Sequence, residues 1–169
     1  PPTGSLNTAR GYARGALLLS GEVLVGGGGA GVGRDDPATG LFTLTKGSMS
    51  VVRGRPVAIG TPSGAVIFVA GDPISPPSPS PFTSETYDPG TDGFGPNKTI
   101  ATTPGHDGLA IATTPTGGVM VCGGAQLQFT NTGSPLGFLL DAAPAGAAYS
   151  DASDCGTDPC LDSFYCAST

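Results

Sequence analysis

The sequence predicts an all-β protein built from repeated antiparallel units of short strands, and three observations lead to this fold class. Three segments share a turn containing glycine, a short β-rich apolar run and a small-residue pair, at positions 20–27, 63–72 and 116–124. An Asp-Pro turn followed by a phenylalanine occurs at 36–42 and again, 52 residues later, at 88–94. The chain also combines 29 glycines and 17 prolines with 38% hydrophobic residues, which indicates many strands joined by turns rather than a disordered chain.

The three segments are the second halves of predicted β-hairpins. Another apolar run precedes each turn, at 16–19, 57–59 and 109–112, and two such runs joined by a glycine turn predict a hairpin. The turn glycines Gly21, Gly64 and Gly117 are 43 and 53 residues apart, so the period is about 48 residues. Such a period, with several short strands per unit, is typical of β-propellers. We therefore expect about three four-stranded antiparallel blades.

The residues around the hairpins resemble the kelch repeat, in the form common in large extracellular proteins. The motif Gly-Ser-x-x-x-x-Arg stands at 4–10 and at 47–53, and Tyr87-Asp88-Pro89 precedes the third hairpin. The likeness covers about residues 3–149 and implies kelch-like propeller blades. The chain departs from the pattern where Phe42 and Phe94 replace the usual tryptophan and Asp35 replaces a tyrosine.

This organisation divides the chain into two parts. Residues 1–149 are expected to form the kelch-like propeller segment, including a proline-rich loop at 73–81, and residues 150–169 an acidic, cysteine-rich tail. Propellers have about four to eight blades, so three units do not close a ring. Either further blades of the same chain or other protein chains would complete it, and we expect the chain to be part of a larger assembly.

Charge and hydropathy exclude two classes of partner. The formal net charge is -6, with only seven Lys and Arg residues, and these are scattered, whereas nucleic-acid binding depends on clustered cations that meet phosphates. No apolar run approaches the roughly 20 residues that span a bilayer. We therefore predict neither nucleic-acid binding nor a membrane span.

The cysteines indicate an oxidising compartment. The chain has four, Cys122, Cys155, Cys160 and Cys166, and three of them lie in the last 15 residues. An even number fits two disulfides, and four cysteines allow three pairings, which stay open. Cys122 would pair with whichever tail cysteine is left over, and this would fasten the tail to the third hairpin. The predicted location is extracellular or at the cell surface.

Two features are candidate glycosylation sites. Asn97-Lys98-Thr99 matches the N-glycosylation acceptor pattern. The second feature, a Ser-Pro run, resembles hydroxyproline-rich stretches of plant and green-algal surface glycoproteins, and this resemblance implies hydroxylated, glycosylated residues. The alternatives are a stiff extended loop or a ligand for a partner domain. The candidate positions in the run are Ser75, Pro76, Pro77, Ser78, Pro79, Ser80 and Pro81.

Four arginines precede the first two hairpins. Arg10, Arg14, Arg53 and Arg55 are candidate ligand-facing residues that would line one rim or the channel and contact acidic groups or sugars. The other interpretation is that they pack against carboxylates of a neighbouring blade.

No catalytic, cofactor or metal site is predicted. The glycines after residue 25 imitate a dinucleotide fingerprint, but a turn at 34–37 follows where that site needs a helix. Some kelch propellers are copper oxidases whose site needs two histidines, and this chain has only His106. The carboxylates Asp35, Asp36, Glu85 and Asp107 are expected in structural turns.

The sequence therefore favours a non-catalytic structural or adhesive extracellular glycoprotein module that acts through protein–protein assembly. A carbohydrate- or protein-binding propeller is the first alternative, because loops on a rigid scaffold commonly carry binding. A fragment of a kelch-type oxidase, whose catalytic residues lie elsewhere, is the second. Fold alone does not decide among them.

Overall fold

The computed structural model describes residues 4–71, 81–104, 107–114, 117–125, 137–140, 160–161 and 165–166. All regular secondary structure in these ranges is β-strand, and the sheets are antiparallel, which confirms the predicted fold class. The described residues include no helix long and apolar enough to cross a bilayer.

Sheet 1 has four strands in sequential order. They are β1 (Arg14–Leu17), β2 (Val23–Gly26), β3 (Gly33–Asp36) and β4 (Leu41–Leu44). The turn between β3 and β4 forms because the Asp36 carboxylate accepts hydrogen bonds from the Ala38 N–H and the Thr39 hydroxyl, both at 2.9 Å. These bonds hold the pKa of Asp36 below its ordinary value. The predicted Asp-Pro turn is thus confirmed, with Asp36 as its cap.

Sheet 2 contains β5 (Val57–Gly60), β6 (Val66–Val69), β7 (Pro81–Asp88), β8 (Gly93–Phe94) and β9 (Lys98–Pro104). We expected four strands, and the structure has five. The difference arises because β8 pairs with the end of β7 and β9 with its beginning. Pro96 lies between β8 and β9 and has no N–H to donate, so the outermost strand position is divided in two.

Sheet 3 contains β10 (Asp107–Thr113), β11 (Val119–Ala125) and β12 (Gly137–Leu140) in that order. A fourth strand is not among the described residues. A separate two-stranded hairpin follows, formed by β13 (Cys160–Leu161) and β14 (Tyr165–Cys166).

The three predicted hairpins are present as β1–β2, β5–β6 and β10–β11. The glycine that turns each chain into its second strand has the same left-handed backbone, with φ of 89° at Gly21, 90° at Gly64 and 92° at Gly117. Side chains rarely adopt this φ, so glycine is the residue that fits. The repeat that the sequence predicts is therefore a repeat of backbone geometry.

Sheet 2 lies between sheets 1 and 3. Because side chains alternate along a strand, β6 sends Val66 and Phe68 to one core and Ile67 and Val69 to another. The first core also holds Ala16 and Leu24 of sheet 1, and the second holds Val119 and Val121 of sheet 3. The first strand of sheet 2 lies beside the first strands of both other sheets. The sheets are thus arranged as blades of an incomplete propeller.

Candidate functional site: the outward face of sheet 1

The side of sheet 1 that does not contact sheet 2 carries a row of apolar side chains. Cross-strand pairing places Leu17, Val23 and Phe42 on this side, with Asp35 between Val23 and Phe42, and Val25 pairs through Gly33 with Leu44. Leu17 is 67% exposed and Leu44 is 53% exposed, while the two valines and Phe42 are half-buried. We call these five residues the outward face of sheet 1.

The same positions in sheet 2 form a sheet–sheet interface. Counting from the turn glycines, Val23 and Val25 correspond to Val66 and Phe68, which are completely buried against sheet 1. Phe42 corresponds to Phe94, whose ring lies 6.0 Å from that of Phe68. Three of these residues, Val23, Val25 and Phe42, therefore repeat a surface that sheet 2 uses to pack on sheet 1. The positions of Leu17 and Leu44 hold Gly60 and Pro96 in sheet 2.

The segments before the two sheets extend this correspondence. Met49 is 3% exposed and packs in the core between sheets 1 and 2, and its counterpart Leu6 is 37% exposed. The segment that carries Leu6 lies along sheet 1 through bonds from the Gly4 N–H to the Gly40 carbonyl and from the Asn7 side chain to the Phe42 carbonyl. By this correspondence, the exposed Leu6 lies beside the outward face of sheet 1, as Met49 lies beside the matching face of sheet 2.

Polar contacts also tie sheet 1 to sheet 2. Arg34 of sheet 1 lies 3.7 Å from Glu22 and 3.6 Å from Asp92, and Tyr87 donates a hydrogen bond to Asp92 at 2.8 Å. Burial, followed by the bond to Asp92, raises the pKa of Tyr87 to about 12. The packed side of sheet 1 therefore combines a hydrophobic core with a charged border.

Arg53, one of the four candidate arginines, is inside the protein rather than facing a ligand. It is 1% exposed, and its guanidinium donates to Glu85 at 3.1 and 3.3 Å, to Thr83 and Asn97, and to the Ala70 carbonyl. Burial lowers the pKa of Arg53, and the Glu85 carboxylate opposes that shift. The structure thus shows the second interpretation for Arg53, packing against a carboxylate, although the partner belongs to its own blade.

Glu85 was not expected in this role. We predicted a structural turn, whereas Glu85 lies inside β7 with its side chain buried. Its carboxylate also accepts from the Ser50 N–H at 2.6 Å, the Ser50 hydroxyl at 2.8 Å and the Val51 N–H at 3.4 Å. The aromatic and threonine residues from Phe82 to Tyr87 favour a strand, and this composition is the signal that could have placed Glu85 in one.

The other three arginines are at least partly exposed. Arg10 donates to the Gly27 carbonyl at 3.3 Å and to the Gly31 carbonyl, and burial lowers the pKa of Arg10. Arg14 is exposed and bonds to the Ala13 carbonyl at 3.1 Å. The Arg55 guanidinium lies 4.2 Å above the Tyr12 ring. For these three a ligand-facing role stays a prediction.

Asn97 is exposed and lies just before β9. Its carboxamide oxygen accepts from Arg53 at 2.9 Å. An arginine has no acceptor, so this contact fixes the orientation of the amide and turns the Asn97 nitrogen away from Arg53. That nitrogen is the atom to which an N-linked sugar attaches.

Several predicted residues lie wholly or partly outside the described residues. Ser75, Pro76, Pro77, Ser78, Pro79, Ser80, Cys155 and His106 are outside them, and Pro81 is described only as the first residue of β7. Cys160 and Cys166 stand directly opposite each other in the register of β13 and β14. Cys122 lies in β11 and is half-buried. The pairing of the cysteines stays a prediction.

In the described ranges, no group of three or more His, Cys, Asp or Glu side chains is arranged to hold a metal ion.

The chain is similar to known proteins at the level of solved structures. No family model matches the chain, and neither does any curated protein. One similar solved structure is described as a novel fungal alcohol oxidase with catalytic diversity among the AA5 family, in complex with copper. The TM-score is 0.49, the sequence identity is 13%, and the match covers 85% of this chain. The chain covers 41% of that solved chain, and a likeness of this strength carries no argument about activity.

Proposed function

We propose that this chain is a non-catalytic structural or adhesive module, with kelch-like blades, that acts through protein–protein assembly. The observation that carries the proposal is the outward face of sheet 1, where Val23, Val25 and Phe42 repeat residues of sheet 2 that pack on sheet 1, and Leu17 and Leu44 on the same side are exposed. Apolar residues exposed on one face of a folded protein favour an interaction site there when they form a patch.

The occupant that fits this face is the outer side of sheet 3 from a second copy. The outward face repeats the side of sheet 2 that packs on Ala16 and Leu24, which stand opposite each other in sheet 1. On sheet 3, Ala112 and Met120 occupy the same paired positions, and Ala112 is exposed. Each chain therefore offers both halves of an interface that it already forms within itself.

Such a contact joins unlike surfaces head to tail, and it closes a ring when the rotation permits. Two copies joined at both ends would contribute six of the described multi-stranded sheets, within the range of about four to eight blades in propellers.

The test compares two exposed leucines of the same strand. Leu44 belongs to the outward face, whereas Leu41, 63% exposed, lies three positions away on the other side of β4. We expect the purified chain to sediment as a dimer, Leu44→Lys as a monomer at the same concentration, and Leu41→Lys like the unaltered chain. A monomer at every concentration, or equal loss in both variants, would overturn the proposal.

Mixing two variants tests whether the interface is head to tail. Ala112→Lys alters the outer side of sheet 3 and leaves the outward face of sheet 1 intact, while Leu44→Lys does the reverse. We expect each variant to be monomeric alone and the mixture to associate through the one pair of unaltered surfaces. If the mixture stays monomeric, the outward face of sheet 1 does not bind the outer side of sheet 3, and the proposal of head-to-tail assembly fails.

The proposal includes an extracellular or cell-surface location, glycosylation and disulfides. Asn97 supports it, because the Arg53 contact leaves the amide nitrogen turned away from the interior. We expect expression in a eukaryotic secretory host to give a chain whose mass falls on enzymatic removal of N-glycans. Thr99→Ala should remove this step while preserving the Asn97 contact to Arg53, and Thr99→Ser should keep it. An unglycosylated secreted chain would contradict the Asn97 assignment.

A further inference from the structure

Arg10 and Arg53 occupy the same place in successive repeats. Each ends a Gly-Ser-x-x-x-x-Arg segment, each is followed by glycine, and each donates through Nη1 to the carbonyl at the end of the second strand of its hairpin, Gly27 for Arg10 and Ala70 for Arg53. The residues two positions later, Tyr12 and Arg55, both have left-handed backbones with φ of 59° and 54°. The two arginines are therefore equivalent in contacts as well as in sequence.

The carboxylate that accompanies Arg53 has no counterpart in sheet 1. Glu85 pairs with Phe68 across β6 and β7, and the equivalent pair across β2 and β3 is Val25 with Gly33. The spacing agrees, because Gly33 and Glu85 each precede the Asp of the Asp-Pro turn by three residues. Glycine thus stands in sheet 1 where sheet 2 has its buried acid.

The donors around that position are retained. Glu85 accepts from the N–H groups of Ser50 and Val51, whose counterparts in the first segment are Asn7 and Thr8. Among the described residues, no acceptor bonds to the Asn7 or Thr8 N–H, and no acid lies within salt-bridge distance of Arg10. By this correspondence, two N–H groups and a guanidinium are expected around the position that a carboxylate occupies in sheet 2.

There is also space for the first side-chain atom at Gly33. A Cβ built on Gly33 would meet the Asn7 side-chain oxygen at 3.6 Å and the Phe42 ring at 3.7 Å, which are ordinary contact distances. Gly31, beside the guanidinium, would place a Cβ 3.7 Å from Arg10 Nη2. Arg10 itself is half-buried, so a ligand can reach it from solvent.

We infer that Arg10, with the N–H groups of Asn7 and Thr8, forms a binding site for one carboxylate group supplied from outside the chain. Bonds from a guanidinium and from N–H groups to a carboxylate are charge-assisted and roughly twice as strong as neutral ones. The source is either an Asp or Glu side chain of a protein on the outward face, in which case the site deepens the proposed function, or a sugar acid.

The test is an NMR titration of the isotopically labelled chain, diluted until it is monomeric, with sodium acetate at constant ionic strength. We expect a saturable shift of the Arg10 side-chain Nε–Hε signal, no comparable shift for the exposed Arg14, and no response to neutral acetamide. Because the chain is monomeric, the result does not depend on whether copies associate.

Substitutions at Gly33 and Arg10 test whether acetate binds at the position between these residues. Gly33→Glu supplies the carboxylate internally and should abolish acetate binding, whereas Gly33→Ala adds only a Cβ at ordinary contact distances and should retain it. Arg10→Lys should weaken binding about tenfold, since it loses the planar pair of donors. Unchanged acetate binding in Gly33→Glu and Arg10→Lys, or no saturable shift in the unaltered chain, would overturn the inference.

Two further ligands identify the source. Tighter binding of glucuronate than of acetate assigns the site to a sugar acid. Tighter binding of N-acetylglutamate α-amide assigns it to a protein side chain, and acetate should then also weaken dimer formation.

Discussion

The pairing of Arg53 with Glu85 shows how one buried charge fixes the positions of several segments. The guanidinium reaches β7, the residue after β6 and the loop before β9, and the carboxylate reaches the segment before sheet 2. Each partner is almost completely buried, so neither charge is solvated if the other is removed. A buried pair of this kind positions the chain but contributes little net stability beyond what an apolar pair would supply.

Removing one member of this pair should therefore be costly. Glu85→Gln keeps the shape of the side chain but leaves the Arg53 charge buried without its counterion, and we expect the free energy of unfolding to fall by about 3–5 kcal/mol. The control is Glu22→Gln, which breaks a partly exposed contact of 3.7 Å to Arg34 and should cost less than about 1 kcal/mol. Urea unfolding of both variants measures the difference, and equal costs would contradict the argument.

The sequence indicated the arginines but not what they bind. The recurrence of Gly-Ser-x-x-x-x-Arg marks Arg10 and Arg53 as equivalent positions of two repeats. Their different surroundings depend on Glu85 and Gly33, which lie 32 and 23 residues further along the chain. No local sequence pattern connects each arginine with the residue at this position, because the two come together only when β7 or β3 pairs with its neighbouring strands.

At the scale of elements, the hairpins were predictable because each is a local feature. A glycine with φ near 90°, flanked by two β-rich runs, specifies both the turn and the register of its strands. The Asp-Pro turns were predictable for the same reason, since Asp36 and Asp88 each accept a bond from the N–H two residues later. These contacts need nothing from the rest of the chain.

The outermost strand of sheet 2 was not predictable in the same way. Its two pieces, β8 and β9, pair with different parts of β7, and the register shifts between Pro81 and Thr83. The sequence from 95 to 104 has Gly, Pro and several Thr residues and no alternating apolar pattern. Tertiary pairing with β7, rather than local preference, therefore determines that strand.

The outward face of sheet 1 could be located only after the elements were assembled. Alternation alone assigns Leu17 and Leu44 to one side of their strands but does not say which side meets sheet 2. Sheet 2 has apolar residues on both faces, and among the described residues sheet 1 packs on a neighbouring sheet through one face. The position of the candidate site therefore depends on which face of sheet 1 packs on sheet 2.

For the whole molecule, the stabilisation that comes from the contact between sheets 1 and 2 should decrease as the pH rises in the alkaline range. Tyr87 is buried, donates to Asp92, and has its pKa raised to about 12 from an ordinary value of 10. A pKa that is higher in the folded than in the unfolded chain means that folding favours the protonated phenol. This stabilisation is fully present below about pH 10 and is lost as the pH rises towards about 12.

Tyr87→Phe keeps the ring that packs 5.4 Å from Phe94 but removes the ionisable hydroxyl. We expect the unaltered chain to lose stability more steeply than this variant between pH 10 and 12, when both are followed by urea unfolding at each pH. Below pH 9 the variant should be less stable by a constant amount, because Asp92 loses a donor there. Parallel curves throughout the alkaline range would mean that Tyr87 does not couple the sheets to pH.

If the curves diverge as expected, the same titration can be repeated on the associated protein. Because Tyr87 is buried between sheets 1 and 2, its titration should then be unchanged by a partner on the outward face.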